Sequence, residues 1–331
     1  MLSNTKSIIL FWLLPVIIYL VWYLKDIIFL IFFSLVLGLA IQEWAIVIKK
    51  KTKIPFIINI SLIYLFFIFI LVFSIYLLTP IILKEIKNIF PQIKELLNDF
   101  GFKNIEKYVP NLLNYTTPQS FFGFSGYIIN ILGGFFNFIL IFILSFYVST
   151  QPSFFTDMFK LFFPDKFTIY FNFYNRVKKK FSHWLASQLF LMVTVGFLTY
   201  ILMIILKVPY ASLIGLIAGI TEIIPILGPI IAASLGIFIS FTSNPQIVIW
   251  VLLGFILIQQ LENNLLIPFL AKKVLEIKPL VTLTSILIGA KLGGILGIMT
   301  VLPLSVLLVE IYNEFYNLNN NHNKNHNKNN A

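Results

Sequence analysis

The sequence predicts an all-α protein, a polytopic bundle of transmembrane helices, some of them broken, with amphipathic helices at its surface. Hydrophobic residues make up 59% of the 331 residues and charged residues only 11%, which is more apolar surface than a water-soluble domain can bury. Several apolar runs reach the length of about 20 residues that an α-helix needs to cross a bilayer. Lysines flank these runs, a pattern typical of the cytoplasmic loops of membrane proteins.

Residues 1–80 contain three apolar runs, which predict transmembrane helices 1 to 3. The first run follows a short N-terminal segment, and Lys25 and Asp26 lead straight from it into the second run. Because no small-residue cleavage site separates these two runs, we interpret the first as a retained helix and not as a signal peptide. The lysines at residues 49–53 mark a loop that we expect in the cytoplasm.

The middle of the chain alternates between amphipathic and apolar stretches. Residues 81–126 repeat apolar positions every three or four residues among nearly balanced acids and bases, which predicts an amphipathic, non-cytoplasmic insert. Residues 127–149 predict transmembrane helix 4. Residues 150–184 predict a second amphipathic segment, which is basic at residues 176–180 and is therefore expected in the cytoplasm.

Residues 185–316 predict a C-terminal transmembrane core in which prolines and glycines interrupt the apolar runs. With this core the chain has about eight spans of the length that a bilayer requires, and both termini lie in the cytoplasm. The alternative is that the interrupted runs re-enter the membrane from one side. Residues 317–331, an asparagine-, histidine- and lysine-rich segment, cannot bury a core and predict a disordered tail.

The composition excludes several classes of function. The chain has no cysteine, which rules out disulfides, thiolate metal sites and thiol nucleophiles. It also lacks the paired-histidine zinc motif and the glycine-rich phosphate loop. We therefore predict that it is not an enzyme and that it uses no metal and no cofactor. The net charge of +11 does not indicate nucleic-acid binding, because the lysines flank apolar runs.

Glu222 is the residue that most strongly indicates a functional site. It is the only formally charged residue between positions 208 and 261, and a carboxylate at mid-bilayer depth costs roughly 2.5 to 3.5 kcal/mol. Pro225, Gly228 and Pro229 follow it closely and predict a helix break that frees backbone groups for binding. The alternative is a tight turn at the membrane surface, where the carboxylate is simply hydrated.

A second polar group follows the next apolar run. Gln259, Glu262 and Asn263 are separated by three and four residues, so a helix places them on one face. Such a stripe is expected to face the interior of the bundle or an aqueous cavity, near Glu222. The alternative is a helix that ends at the membrane surface.

Glycines at four-residue spacing form the third notable pattern. Gly215 and Gly219 belong to one set, and Gly289, Gly293 and Gly297 to another. Small residues on one helix stripe allow close packing of helices within the membrane. We interpret both sets as packing stripes, with a hinge or sliding surface as the alternative. Together with the large apolar surface, they leave room for a homo-oligomer.

The order of these motifs resembles that of the autoinducer-2 exporter family of bacterial permeases. The resemblance rests on Glu222-Ile-Ile-Pro-Ile-Leu-Gly-Pro, then Gln259-Gln-Leu-Glu-Asn-Asn, then Lys278-Pro-Leu and the glycines that follow. It covers nearly the whole chain, to about residue 316. One departure is Lys278, which stands where the family often has a histidine before the proline.

The resemblance implies an eight-span permease of the bacterial inner membrane. Family members are described as exporters of the signal autoinducer-2 or as sodium/proton antiporters. We therefore expect a secondary transporter that moves a small polar solute with H⁺ or Na⁺, with the lipid bilayer as its surroundings. The alternatives are a sodium/proton antiporter without organic cargo and, from a different class, a non-transporting membrane scaffold.

Overall fold

The computed structural model describes the backbone of residues 2–74, 125–224, 227–271 and 279–329, together with residues 76 and 80. Every regular element within these residues is helical, which confirms the predicted all-α class. The insert predicted at residues 81–126 lies outside the described residues, except for its last two. The helices are α1 (Leu2–Tyr23), α2 (Lys25–Thr52), α3 (Phe56–Ser74), α4 (Ser125–Thr150), α5 (Phe154–Phe162), α6 (Phe167–Ile205), α7 (Ala211–Thr221), α8 (Leu227–Ser243), α9 (Val248–Leu261), α10 (Ile267–Ala271) and α11 (Pro279–Asn329).

Five of the described helices are long and apolar enough to cross a membrane, or six if a bent pair counts as one span. The bent pair is α4 with α5, and the chain turns by 69° between them. The described helices also include three shorter apolar ones, in α1, α7 and α8, which fall below that length. The chain is therefore a multi-pass membrane protein. The five are Lys25–Thr52, Phe56–Ser74, Pro164–Ile205, Pro245–Leu270 and Leu283–Glu314.

The chain forms two compact units, neither of which is continuous in sequence. The first unit contains Met1–Ile60, Leu140–Leu185 and Ala271–Ala331, and the second contains Ser61–Ile139 and Ala186–Leu270. Helix α6 contributes its first half to the first unit and its second half to the second unit.

In the first unit, α2 crosses α4 closely because a glycine stands at the crossing point. A Cβ atom on Gly38 would lie 2.7 Å from the carbonyl oxygen of Ser145 and from Val148. Ser149 Oγ donates to the carbonyl oxygen of Gly38 at 2.9 Å, and Gln42 Nε2 donates to those of Val148 and Ser149 at 3.3 Å. Small residues and hydrogen bonds between helices are the usual means of helix association within a membrane.

In the second unit, the second half of α6 packs against α7 through glycines. A Cβ atom on Gly215 would lie 2.9 Å from the carbonyl oxygen of Gly196, and one on Gly219 would lie 2.8 Å from that of Met192. The two predicted packing glycines of this region therefore lie at a helix–helix contact. The buried apolar core of the unit comprises Met203, Val208, Ile214, Ala218, Ala232, Ile239, Val251 and Phe255.

Helix α11 reverses direction at Gly293 and Gly294, so the candidate span Leu283–Glu314 is not one continuous helix. Gly293 and Gly294 have non-helical backbone angles, and Gly294 has φ +56°, a left-handed value that glycine adopts without strain. A Cβ atom on Gly297 would overlap the carbonyl group of Gly289. Residues eight apart in a continuous helix are separated by about 12 Å, so this contact requires a reversal of the chain.

This reversal corrects one prediction from the sequence. Gly289, Gly293 and Gly297 do not form one stripe on a continuous helix, because Gly289 and Gly297 face each other across the break. Gly293 lies at the break, where a side chain would overlap the ring of Phe29. The spacing of four residues indicates close packing, but it does not reveal which surfaces meet.

The disorder of residues 317–331 stays a prediction. The structure gives residues 317–329 a helical backbone, as the continuation of α11 to Asn329.

Candidate functional site

The site predicted around Glu222 lies at a break between two helices of the second unit. Helix α7 ends at Thr221, and α8 begins at Leu227. The amide of Ile224 donates to the carbonyl oxygen of Thr221 at 3.0 Å, and the amide of Gly228 donates to that of Ile224 at 2.9 Å. These bonds close a compact turn directly after Glu222.

Gly228 makes this turn possible. A Cβ atom at this position would overlap the carbonyl group of Thr221 and lie 2.7 Å from the amide nitrogen of Glu222. The hydroxyl oxygen of Thr221 also lies 3.2 Å from the carbonyl oxygen of Gly228. Any larger residue at position 228 would push the start of α8 away from the end of α7.

Glu222 is fully buried, yet its carboxyl group has no hydrogen-bond partner among the described residues. Its backbone carbonyl oxygen, in contrast, accepts a bond of 2.6 Å from Nε2 of Gln188 on α6. This bond fixes the end of α7 against α6 and leaves both carboxyl oxygens available. Buried polar atoms are normally satisfied, so two unsatisfied oxygens on one side chain need an explanation.

Glu262 is the neighbour of Glu222. It opens a π-helical turn, Glu262–Leu266, that follows α9, and its side chain is also buried. The two carboxyl groups lie within reach of each other and interact through space. We call Glu222 and Glu262 the carboxyl pair. π-helical turns within α-helices occur frequently at functional sites, because they change the direction in which one side chain points.

Three of the four oxygens of the carboxyl pair are buried and lack a hydrogen-bond partner among the described residues. These are both oxygens of Glu222 and Oε2 of Glu262. Removing a charge from water costs several kcal/mol per ion unless a partner compensates it. Two adjacent buried carboxylates also repel each other, so a proton or a cation bound between them would stabilise the pair.

The other residues of the predicted polar face lie in different surroundings. Gln259 is half-buried, whereas the side chain of Asn263 is exposed. The buried stripe runs through Phe255, Ile258 and Glu262, and one residue beyond Glu262 the helix has turned away from it. The structure thus brings Glu262 to Glu222 but does not bring Asn263 into the buried face.

The remaining predicted site residues flank the break. Gly228 is buried, Pro229 is half-buried, and Pro225 lies outside the described residues. Gln188 and Thr221 contact the break but are absent from the sequence-based prediction. Gln188 is recognisable in retrospect, because it is an amide within the apolar second half of α6.

A second group of carboxylates lies in the first unit, and all of its members have cationic partners. Oε1 of Glu310 lies 2.7 Å from Nε of Arg176, and its other oxygen contacts Lys180. Glu314 contacts the same Arg176, and Oε2 of Glu43 lies 3.0 Å from Nζ of Lys178. We call these residues the paired cluster.

Comparison with known proteins identifies the family. A model described as AI-2E family transporter matches residues 9–317. The chain belongs to the AI-2E transporter family. This confirms the resemblance that the sequence motifs indicated.

The relatives are described as transport proteins on a provisional basis. YueF of Bacillus subtilis strain 168 is 27% identical over 280 residues, which cover 76% of this chain and 75% of YueF. YrrI of the same organism is 29% identical over 136 residues, which are 41% of this chain but only 38% of YrrI. A relative from Thermotoga maritima is 22% identical over 285 residues, 84% of this chain and 86% of that protein. Family and fold together identify a membrane permease.

Proposed function

We propose that this permease is a secondary transporter that moves a small polar solute across the bacterial inner membrane, coupled to H⁺ or Na⁺. The observation that carries the proposal is the carboxyl pair, with three buried oxygens that lack a partner among the described residues. In a transmembrane segment, an ionisable residue of this kind is by default a candidate for an ion or substrate site. Both termini are expected in the cytoplasm, in line with the lysine-rich segments.

Glu222 and Glu262 are the proposed ligands of the coupling ion or of a hydroxyl group of the solute. Interrupted helices in transporters place free backbone groups and helix ends at such sites, which is the arrangement at the break between α7 and α8. Gln259, half-buried one turn before Glu262 on α9, is a further proposed ligand. Asn263 contributes only in a conformation that turns its exposed side chain inward.

The energetics of the pair suggest how coupling works. A bound proton or cation compensates the charge of the buried carboxylates, whereas the empty, ionised pair is strained in a dry environment. A conformation that hydrates the pair then favours release, and one that closes over it favours the loaded form. The closed conformation then forms only when the carboxyl pair holds its proton or cation. The protein therefore changes conformation with the ion bound and not with the pair empty.

Purified protein in liposomes tests this proposal, with autoinducer-2 as the first cargo because the family is described by it. An imposed pH or sodium gradient is expected to drive flux, and Glu222→Gln and Glu262→Gln are expected to abolish the response to the gradient. Glu314→Gln, a carboxylate of the paired cluster, serves as the matched control and retains the response. Unchanged coupled flux in both pair variants contradicts the proposed mechanism.

A second candidate is a sodium/proton antiporter without organic cargo. The carboxyl pair favours this candidate, because a proton or a cation alone can neutralise it and no organic solute is needed. A pH-sensitive dye inside the liposomes distinguishes the two: an antiporter responds to added Na⁺ in the absence of any solute. If Glu222→Gln and Glu262→Gln change neither the solute flux nor the dye response, the non-transporting scaffold is favoured instead.

A further inference from the structure

Helix α5 lies at a steep angle to α4. The chain bends by 69° between the end of α4 at Thr150 and the start of α5 at Phe154. If α4 alone crosses the membrane, a helix bent from it by this angle runs at a shallow angle to the membrane plane. Such helices occupy the boundary between headgroups and acyl chains when one face is apolar.

One face of α5 is covered by the protein itself. The ring of Phe155 lies 5.3 Å from that of Tyr174, and the ring of Phe163, just after the helix, lies 4.7 Å from that of Tyr170. Phe159 contacts both tyrosines. These aromatic contacts hold α5 against the first turns of α6 and fix which face points away.

The opposite face of α5 borders a cavity of about 500 Å³ in the corner that it forms with the end of α4. The cavity is open along one side, since seven of its eight lining residues are exposed. The polar end of the cavity is at the bend and includes Gln151 and Ser153, and the apolar end lies along α5. The α5 residues that line it are Phe154, Asp157, Met158 and Leu161.

Asp157 decides which ligand chemistry fits this cavity. Phe154, Met158 and Leu161 form an apolar stripe of exposed side chains, and Asp157 lies at the edge of that stripe. Its carboxylate gives the cavity an acidic edge beside its apolar lining. A ligand with a cationic group and an apolar chain satisfies both parts of the lining.

We propose that this cavity binds a phospholipid with a primary ammonium headgroup. The ammonium contacts the carboxylate of Asp157, and the acyl chain lies along Phe154, Met158 and Leu161. The amide of Gln151 and the hydroxyl of Ser153 can donate hydrogen bonds to the phosphate.

Native mass spectrometry of the purified full-length protein tests this site. Equal amounts of phosphatidylethanolamine, phosphatidylcholine and phosphatidylglycerol are offered in detergent, and the retained lipids are counted. The wild type is expected to retain roughly threefold more phosphatidylethanolamine than either competitor, the size expected of one partly exposed charge contact. Asp157→Asn is expected to remove this preference, and Asp157→Lys to shift it toward phosphatidylglycerol.

Asp165→Asn is the matched control, because Asp165 is an exposed aspartate in the turn after α5 and does not line the cavity. It is expected to retain the preference of the wild type. A preference that survives in Asp157→Asn, or a wild type that retains the three lipids equally, overturns the proposal.

The position of α5 gives a second, independent readout. The chain has no cysteine, so a spin label on Leu161→Cys reports from one site only. In bilayers the label is expected at the level of the glycerol groups, shielded from a water-soluble relaxation agent and accessible to oxygen. A label that is fully accessible to the water-soluble agent overturns the lipid-facing orientation.

Discussion

The carboxylates of the two units differ in their partners. In the first unit, Glu310 is almost fully buried and contacts both Arg176 and Lys180. In the second unit, Glu222 is fully buried, and among the described residues its carboxyl group has one neighbour, the carboxyl group of Glu262, and no cationic partner. A charge compensated within the protein holds helices together, whereas an uncompensated one is open to a ligand.

This difference separates two roles for charge in a membrane. The paired cluster is satisfied within the protein, so removal of Glu310 leaves Lys180 without its carboxylate partner and destabilises the fold, whereas removal of Glu314 leaves Arg176 paired with Glu310. The described residues supply the carboxyl pair with no compensating charge. Substitution of a neutral isostere is therefore expected to be harmless to the fold and harmful to function.

The largest effect is expected from Gly228→Ala, because it disturbs the geometry that brings the carboxyl pair together. The new Cβ atom meets backbone atoms of Thr221 and Glu222, which cannot move without separating α7 from α8. We expect a loss of roughly 3 kcal/mol or more in the free energy of unfolding, as for other overpacked sites. The melting temperature of the purified protein in detergent measures it.

Gly254→Ala is the control for this substitution. A Cβ atom at position 254 meets the flexible end of the Leu202 side chain instead of backbone, so a much smaller loss is expected. Equal losses in the two variants would show that the break after Glu222 tolerates rearrangement. The helix break that brings Glu222 to Glu262 would then be less rigid than we describe.

The next effect compares the two acidic groups directly. Glu310→Gln is expected to lower the free energy of unfolding by roughly 1 to 3 kcal/mol, because Arg176 and Lys180 lose the charge they share. Glu222→Gln is expected to leave stability unchanged or slightly raised, since the neutral amide removes a buried acid that has a second acid beside it. Chemical denaturation or thermal melting in the same detergent checks both, and the reverse order of stabilities contradicts the comparison.

The smallest effect is expected from Gln188→Leu. It removes the donor to the backbone carbonyl oxygen of Glu222 while it preserves the approximate size of the side chain. The unsatisfied carbonyl is expected to cost about 1 to 2 kcal/mol and to loosen the end of α7. Hydrogen exchange of the amides at residues 222–224 reports this loosening, and unchanged exchange there would show that Gln188 does not fix the break.

The sequence predicts the parts of this site that depend on local pattern. A buried acid followed by proline and glycine indicates a break after Glu222, and the spacing of three from Gln259 points to Glu262. Long-range contacts are not visible in such patterns. Gln188 reaches Glu222 across 34 residues, and Arg176 reaches Glu310 across 134. A local pattern also cannot indicate that Gly289 and Gly297 face each other, since that depends on the backbone angles at Gly294.

The most direct test of the central claim is whether the carboxyl pair itself takes up and releases a proton. Infrared difference spectra of the purified protein, recorded on raising the pH or adding Na⁺, detect the carbonyl band of a protonated carboxyl group. The account predicts a band that disappears in Glu222→Gln and in Glu262→Gln and persists in Glu314→Gln. The same band in all three variants would contradict it.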